Sequence, residues 1–348
     1  MDLIFHFSCN WKTNIGIHRY LLLRARMVDT VFKWLDFKVT NRCNNKCLYC
    51  GVKQDPISES EKLPLTSVVA AVEDAIDIGF THFALLGGEP SVRADITDIL
   101  SSFYGKKRVH TVMVISNMLV FNEMMYRKLF GSNSENATLV ASIDSLVSPN
   151  NKNQNPKRTL SYIDKALRIA SEYSNAGTRS VHIHTVISRE NFQNLFDYTS
   201  FFIEKGVELS MALVEPFQIT DSPKAYNQFS KNEIEHIIAE LDHLETDDYL
   251  EFPNRVLREY LRSFVLGKSD YFESCTAGVE HVIIESDGAV YPCLTEAYRQ
   301  GLSFGNIIDE RFFDLYKRME DFRCNLRFNQ ACWDHYLWTR LADTKRRE

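Results

Sequence analysis

Apolar and polar residues follow a repeating strand–helix rhythm over residues 34–214. Residues 34–40 alternate apolar and polar side chains, which predicts a half-buried strand. Residues 66–79 carry apolar side chains at helical spacing, and Gly79 is a typical helix end. Six such strands alternating with helices predict an α/β fold with a parallel sheet, either a partial (β/α)6 barrel or an open doubly wound sheet. The remaining predicted strands are 81–86, 110–116, 137–143, 180–187 and 207–214, and the remaining helices are 94–104, 122–130, 158–176 and 194–205.

The segments that flank this rhythm follow different patterns. Two helical patterns, at 231–244 and 250–266, are separated by an acidic run and predict a bridge between modules. Beyond them, two short strand patterns are joined by Asp287-Gly288, which predicts a tight hairpin followed by an amphipathic helix through Phe312. The predicted organisation is an N-terminal extension (1–33), an α/β core (34–215), a helical bridge (216–266) and a small C-terminal hairpin-plus-helix module (267–348).

Composition excludes several classes of protein. A formal net charge of −6 argues against nucleic acid as a partner. No run approaches the roughly 20 apolar residues of a membrane span, and the first residues lack the basic lead of a signal peptide. Eight cysteines in such a chain bind metal more often than they form disulfides. These features predict a soluble, cytoplasmic protein with no membrane partner.

Three of the eight cysteines, Cys43, Cys47 and Cys50, have the spacing C-x3-C-x2-C directly after the first predicted strand. One tight loop can direct three thiolates at three corners of an iron–sulfur cube, which leaves one iron open to another ligand. A zinc knuckle, a disulfide cluster and buried free thiols are the alternatives. A zinc site normally requires four ligands, and no fourth Cys or His lies near the loop.

This loop, with Tyr49 just before the last cysteine, resembles the cluster loop of the radical S-adenosylmethionine (SAM) superfamily. The resemblance implies a partial (β/α)6 TIM-like barrel and a [4Fe–4S] cluster held by the three cysteines. It also implies SAM bound to the open iron, Tyr49 near the adenine, and an external electron donor such as flavodoxin or ferredoxin. In that family SAM is cleaved to a 5′-deoxyadenosyl radical, which removes a hydrogen atom from the substrate.

Further candidate residues come at the predicted carboxyl ends of strands, where α/β proteins bind their ligands. Gly87-Gly88-Glu89-Pro90 resembles the segment that contacts the SAM amino group, although it also suits a turn before a helix. The resemblance assigns the SAM carboxylate and ribose to Asn117, Ser142 and Asp144, whose alternative role is turn capping.

Two further positions are left without an assigned role. His182 and His184 alternate along the fifth strand and are predicted to share a face. Either substrate contact or a purely structural role is open to them, as it is to Glu215.

A second cysteine set, Cys275, Cys293, Cys324 and Cys332, lies in the C-terminal module. The spacing Cys275-x12-Gly288-x4-Cys293, followed by Gly305-Asn306-Ile307, resembles the SPASM and twitch modules of radical SAM proteins. The later cysteines of a full SPASM module are missing, so the resemblance implies one auxiliary [4Fe–4S] cluster with four cysteine ligands. A structural zinc is the alternative.

Together these features predict a radical SAM enzyme of oxidoreductase or lyase type. The expected substrate is a small polar natural product related to a sugar, aminocyclitol or nucleoside, with the auxiliary cluster assisting an oxidation or rearrangement. Two alternatives are a maturase of ribosomal peptides and a non-catalytic zinc or iron–sulfur protein. The molybdenum-cofactor cyclases share this outline, but their Gly-Gly tail is absent from the end of this sequence.

Overall fold

The computed structural model describes residues 33–47, 50, 60–132, 134–144, 156–173, 175, 177–189, 191–213, 229–246, 252–265, 277–298 and 301–319. The N-terminal extension, Tyr49 and Glu215 therefore lie outside the described residues, as do Cys275, Cys324 and Cys332. The strands are β1 (Trp34–Thr40), β2 (His82–Gly87), β3 (Thr111–Ser116), β4 (Asn136–Ser142), β5 (Thr178–Ile187), β6 (Glu208–Leu213), β7 (His281–Ile284) and β8 (Val290–Tyr291).

The helices follow the predicted alternation. They are α1 (Leu65–Ile78), α2 (Ile96–Ser101), α3 (Glu123–Phe130), α4 (Pro156–Glu172), α5 (Leu195–Glu204), α6 (Lys231–Thr246), α7 (Phe252–Val265), α8 (Leu294–Tyr298) and α9 (Phe312–Met319). Helix α2 is shorter than expected, because a 3-10 turn at Pro90–Val92 precedes it. Helix α8 was not expected from the sequence.

The strands form one sheet in the order β6-β5-β4-β3-β2-β1-β7-β8. Every neighbouring pair is parallel except the β7–β8 hairpin. The parallel α/β fold expected from the sequence is thus confirmed. The hairpin was expected in a separate module, but β7 pairs in parallel with β1, from Trp34 opposite His281 to Phe37 opposite Ile284. The C-terminal segment therefore extends the core sheet.

The two faces of this sheet differ in chemistry. Residues directly opposite each other in parallel strands point to the same face, so the register assigns each side chain. One face is apolar and packs in the helix-covered core, including Phe37, Leu85, Val114, Leu139 and Ile183. The opposite, inner face carries both polar and apolar side chains and is partly exposed towards the carboxyl ends of the strands; its polar members there include Ser142, His184 and Ser210.

One side chain of helix α7, that of Asn254, covers the exposed backbone edge of strand β6. Asn254 is fully buried, and its amide donates to the Leu209 carbonyl at 2.9 Å and accepts from the Met211 N–H at 2.9 Å. These are the two backbone groups that another strand would otherwise pair with. The side chain thus replaces a neighbouring strand at this edge.

The C-terminal hairpin is fixed to the core by turn chemistry and aromatic packing. Gly288 has φ +90°, and a Cβ there would lie 2.4 Å from Oδ1 of Asn306. The Asn306 amide donates to the Asp287 carbonyl at 2.9 Å, so the predicted Asp-Gly turn and the Gly-Asn-Ile segment pack on each other. Helix α9 then packs Tyr316 edge-on against Phe80, with ring centroids 5.3 Å apart.

Across the part of the chain that the structure describes, no helix is both long and apolar enough to cross a membrane.

Candidate active site at the cysteine loop

The cysteine loop leaves the carboxyl end of β1 and is held against the end of β2 by backbone hydrogen bonds. The Gly88 N–H donates to the Thr40 carbonyl at 2.7 Å, and the Glu89 N–H donates to the Arg42 carbonyl at 2.8 Å. A Cβ on Gly87 would lie 2.2 Å from the Thr40 carbonyl oxygen, and one on Gly88 would lie 2.3 Å from that of Arg42. Only glycine allows this approach. The two glycines therefore position the cysteine loop, whatever ligand they also contact.

Asparagine side chains donate hydrogen bonds to two of the three thiols. The Asn45 amide lies 3.3 Å from Sγ of Cys47, and the Asn117 amide lies 3.7 Å from Sγ of Cys43. The Cys50 N–H donates to the Cys47 carbonyl at 3.2 Å. Burial raises the pKa of the Cys43 thiol to about 11, so in the absence of a metal it is protonated at neutral pH.

The donor set fits an iron–sulfur cube better than a single metal ion. The ligands of one ion must converge on one point at about 2.0–2.3 Å. No group of three or more Cys, His, Asp or Glu side chains converges in this way anywhere among the described residues. Ligands of a cube each bind a different iron, so Cys43, Cys47 and Cys50 can hold one while remaining apart.

The side chain of Glu89 is buried beneath the candidate site rather than exposed in it. Its carboxylate is fully buried and accepts from the Ser91 N–H at 3.0 Å, the Ser116 hydroxyl at 2.9 Å and the Asn117 N–H at 2.7 Å. Burial raises its pKa above the usual range, and these hydrogen bonds oppose the rise. Glu89 therefore connects the 3-10 turn after β2, which begins at the buried Pro90, to the end of β3.

The strand-end residues beyond Glu89 have different surroundings. Asn117 ends β3 and donates to Oδ1 of Asn44 in the cysteine loop at 2.8 Å. Asp144 is buried, and its Oδ1 accepts from the Val186 N–H at 2.9 Å, which ties the end of β4 to β5. Ser142 is half-exposed on the inner face, opposite His184. The structure thus brings Asn117 to the cysteine loop and engages one Asp144 oxygen in a structural contact. Their roles towards SAM stay predictions.

Sequence analysis missed Arg93, which organises the support beneath the loop. Its guanidinium is 1% exposed and donates to the carbonyls of Val39 in β1 and Leu63 after the loop. It also pairs with Asp95 at 2.6 Å. The position carries no local signal, because an arginine near a helix start usually lies on the surface.

Of the four predicted auxiliary cysteines, Cys293 is the one that the structure describes. Cys293 is buried after β8, and its sulfur accepts from the Glu296 N–H at 3.4 Å. The pairing of β7 with β1 brings this residue's segment to the same sheet as the cysteine loop.

Comparison with known families agrees with this arrangement. Residues 37–201 match the radical SAM superfamily, and residues 275–334 match SPASM, an iron–sulfur cluster-binding domain. This chain is a radical SAM protein with a C-terminal SPASM domain. The first match spans the cysteine loop and the strand-end residues, and the second spans all four auxiliary cysteines. The expected cofactors, a SAM-binding [4Fe–4S] cluster, an auxiliary cluster and SAM, are thereby confirmed.

Relatives of this radical SAM protein include several GTP 3′,8-cyclases. That of Desulforamulus reducens is 36% identical over 95 residues, which are 26% of this chain and 29% of the cyclase. That of Helicobacter pylori is 23% identical over 281 residues, which are 77% of this chain and 83% of the cyclase. The chain thus spans less than a third of the first relative and most of the second.

Solved structures confirm the fold as the partial TIM-like barrel. Streptococcus suis SuiB aligns with a TM-score of 0.64 and 17% identity over 88% of this chain and 72% of SuiB. The protein anSMEcpe with bound AdoMet aligns with a TM-score of 0.58 and 19% identity over 82% of this chain and 80% of that chain.

Proposed function

We propose that this radical SAM enzyme oxidises or rearranges a small, hydroxyl-bearing polar molecule held on the inner face of the sheet. Cys43, Cys47 and Cys50 hold the catalytic cluster, and the backbone of Gly87 to Glu89 orients SAM beside it. When bound, the cluster and SAM supply the 5′-deoxyadenosyl radical. The protein's residues position the substrate and keep competing partners away from that radical.

The polarity of the inner face is the observation that carries this proposal. On the inner face, Ser142 ends β4, His184 lies in the carboxyl half of β5, and Ser210 lies opposite His184 in β6; all three are partly exposed. A barrel enzyme holds its ligand towards the carboxyl ends of its strands. An apolar substrate would leave these polar groups unpaired on binding, which costs about 1–3 kcal/mol for each group. A substrate with several hydroxyl or amino groups pairs with them.

Charge on this face argues against a nucleoside triphosphate as the substrate. Among the described strand residues of the inner face, Lys38 is the one lysine or arginine, and it is ion-paired with Glu285. The same face carries the carboxylates of Asp36 and Glu208. A triphosphate is recognised by several cations, as phosphate sites generally are. The substrate named for the cyclase relatives is therefore the less suitable candidate here.

A peptide substrate is the second candidate, because SuiB has been solved bound to the precursor peptide SuiA. Extended peptides are often held by adding a strand to an open sheet edge. Asn254 occupies the β6 edge at Leu209 and Met211, and the strand at the other end, β8, is two residues long. The described edges thus favour a small molecule over a peptide bound in this way.

The test begins with iron and sulfide content after anaerobic reconstitution, with the Cys43/Cys47/Cys50→Ala variant as the control. Two clusters predict about eight irons per chain in the wild type and about four in the variant. The reconstituted wild type, given SAM and dithionite, should release 5′-deoxyadenosine, and the triple variant should release none. Panels of polyols, aminocyclitols, GTP and short peptides should then be compared for substrate-dependent stimulation of that release.

Each outcome separates the candidates. Stimulation by polyols or aminocyclitols supports the proposal, while stimulation by GTP or by peptides alone overturns its substrate class. Release of no 5′-deoxyadenosine from a protein loaded with about eight irons overturns radical chemistry altogether and leaves an iron–sulfur binding protein. Zinc in place of iron would identify a structural metal protein.

A further inference from the structure

Four polar side chains on the inner face of β5 and β6 form a continuous chain. Oε2 of Glu208 lies 3.6 Å from Nδ1 of His182. Nε2 of His182 lies 2.8 Å from the Ser210 hydroxyl, and the same hydroxyl lies 3.0 Å from Nδ1 of His184. Nε2 of His184 has no hydrogen-bond partner among the described residues. His184 is half-exposed, and it lies opposite Ser142 at the carboxyl end of β4.

The serine between the two histidines imposes a direction on this chain. A hydroxyl carries one proton, so it can donate to one imidazole and must accept from the other. If Ser210 donates to Nε2 of His182, then His184 must donate from Nδ1, and its Nε2 is left as an acceptor. If Ser210 donates to Nδ1 of His184, then Nε2 of His184 carries the proton and is a donor.

Glu208 selects between these two states while both histidines are neutral. Its carboxylate favours a proton on the facing Nδ1 of His182, since a bare nitrogen lone pair would be repelled by it. Nε2 of His182 is then unprotonated and accepts the Ser210 proton. His184 must therefore donate from Nδ1 and present the lone pair of Nε2 to the interior of the barrel.

We propose that Glu208, His182, Ser210 and His184 form a proton relay whose open end, Nε2 of His184, accepts a proton from a hydroxyl group of the substrate. The inference rests on the proposed function for its substrate, but the relay is a property of this chain alone. It lies on the inner face of β5 and β6, and its open end lies opposite Ser142 at the carboxyl end of β4. His184 is the catalytic residue of the relay, and the other three are positioning residues.

The proton balance of the relay is closed. Nε2 of His184 gains the substrate proton, Nδ1 of His184 gives its proton to Ser210, and Ser210 gives its own proton to Nε2 of His182. The products are a substrate alkoxide, a neutral His184 protonated on Nε2, and an imidazolium at His182 facing the Glu208 carboxylate. No electron moves in this step.

The electrostatics of the pair explain why the proton must travel. Burial, with a smaller contribution from His182, lowers the pKa of His184 to about 4, so His184 cannot retain a second proton near neutral pH. Glu208 faces His182 from β6, and the facing positions on β4, Thr138, Val140 and Ser142, are uncharged. Asp144, beyond the end of β4, accepts from the Val186 N–H. Among these facing positions the carboxylate is therefore at the His182 end of the relay.

The relay also defines the chemical class of the substrate at this point. A lone-pair acceptor pairs with a hydroxyl or an ammonium group and repels a carboxylate or a phosphate. Loss of the hydroxyl proton makes an alcohol easier to oxidise at the adjoining carbon once a hydrogen atom has been removed there. We therefore expect a substrate whose reacting carbon, or the carbon beside it, carries a hydroxyl group.

Nitrogen NMR of histidine-labelled, full-length, anaerobically reconstituted protein tests the relay directly. At neutral pH, His184 should be the Nδ1–H tautomer. In Glu208→Gln, which removes the carboxylate that favours a proton on Nδ1 of His182, His184 should lose its preference for the Nδ1–H tautomer. In Ser210→Ala the preference should be lost as well, because the hydroxyl no longer links the two imidazoles, and Ser210→Thr should restore it.

Ser180→Ala is the matched control. Ser180 lies on the same face of β5 and shares a hydrogen bond with Thr138 at 3.2 Å, but it takes no part in the relay. Its variant should keep the Nδ1–H tautomer of His184. An Nε2–H tautomer of His184 in the wild type at neutral pH, or an Nδ1–H preference that survives in Ser210→Ala, overturns the relay.

Release of 5′-deoxyadenosine from the same samples distinguishes the two proposals. A wild type that cleaves SAM but whose His184 is not the Nδ1–H tautomer refutes the relay and leaves the proposed function standing. An Nδ1–H tautomer that depends on Ser210, in a protein that never cleaves SAM, refutes the proposed function and leaves the relay without a substrate.

Discussion

Replacing Gly88 by alanine should detach the cysteine loop from the sheet without altering a single cysteine. The backbone of Gly88 is outside the left-handed region, so an alanine there meets no intrinsic conformational penalty. Its Cβ would instead lie 2.3 Å from the Arg42 carbonyl oxygen and 2.8 Å from that of Asn41. Both are backbone atoms, which cannot rotate away as a flexible side chain can.

The size of the effect follows from this geometry. Reaching ordinary contact requires the loop to move by about 1 Å in a region packed as tightly as protein interiors are. Overpacking of this kind costs about 1–3 kcal/mol. The movement also breaks the hydrogen bonds from Gly88 to Thr40 and from Glu89 to Arg42, at about 1 kcal/mol each. The total, about 3–5 kcal/mol, acts on the loop that we propose holds the catalytic cluster.

The assay is iron content together with the electron paramagnetic resonance spectrum of the reduced protein with and without SAM. We expect Gly88→Ala to fall from about eight irons per chain to about four, and to lose the spectral change on SAM addition. Gly79→Ala is the control: its φ is +100° but a Cβ there meets nothing within 4 Å, so it should lose about 1–2 kcal/mol of stability and keep its iron.

A Gly88→Ala protein that retains full iron and the SAM-dependent spectrum would refute the argument that close approach of the two backbones holds the loop. Equal loss of iron in both glycine variants would mean that general destabilisation is the cause.

Three further predictions follow from single contacts. Asn45→Ala removes the amide donor to Sγ of Cys47. Because hydrogen bonds to sulfur favour the reduced, more negative cluster, this change should lower the reduction potential of the cluster by about 20–60 mV in a redox titration. An unchanged potential would contradict this. Asn254→Leu keeps the branched shape of the side chain but leaves the Leu209 carbonyl and the Met211 N–H without their partner. It should lower the free energy of unfolding by about 2–4 kcal/mol in urea, with exposed Asn→Leu changes as the comparison. Because the pKa of His184 is lowered in the folded protein, the unfolded chain binds a proton at a higher pH than the folded chain does. Stability that is present above pH 6.5 should therefore be lost as the pH falls towards 4. His184→Gln should flatten that part of the pH–stability curve.

The local sequence was sufficient to predict the structure where a single residue type meets a local backbone or ligand requirement. Gly79 ends α1 with φ +100°, as the pattern predicts. The C-x3-C-x2-C spacing indicated the radical SAM family because three thiols within eight residues have few other uses. The alternation of His182 and His184 placed both on one face, which the register confirms.

The contacts that no local pattern encodes were the ones missed. The pairing of β7 with β1 joins residues about 245 positions apart, and strand propensity does not name a partner. Glu89 stood out as a candidate ammonium ligand, yet its burial and its three donors come from segments that meet only in the folded chain. Arg93 gave no signal at all, since its acceptors in β1 and after the cysteine loop are distant in sequence.

The sequence by itself determined the alternation of strands and helices and, through the spacing of Cys43, Cys47 and Cys50, the family, because periodicity and thiol spacing are properties of short segments. The tertiary structure alone decided which candidates face a ligand and which support those that do. It also decided that Glu208, His182, Ser210 and His184 form one chain, because hydrogen bonding depends on distances of about 3 Å between strands. Those distances are set by the register of the sheet, which the packing of the whole core fixes.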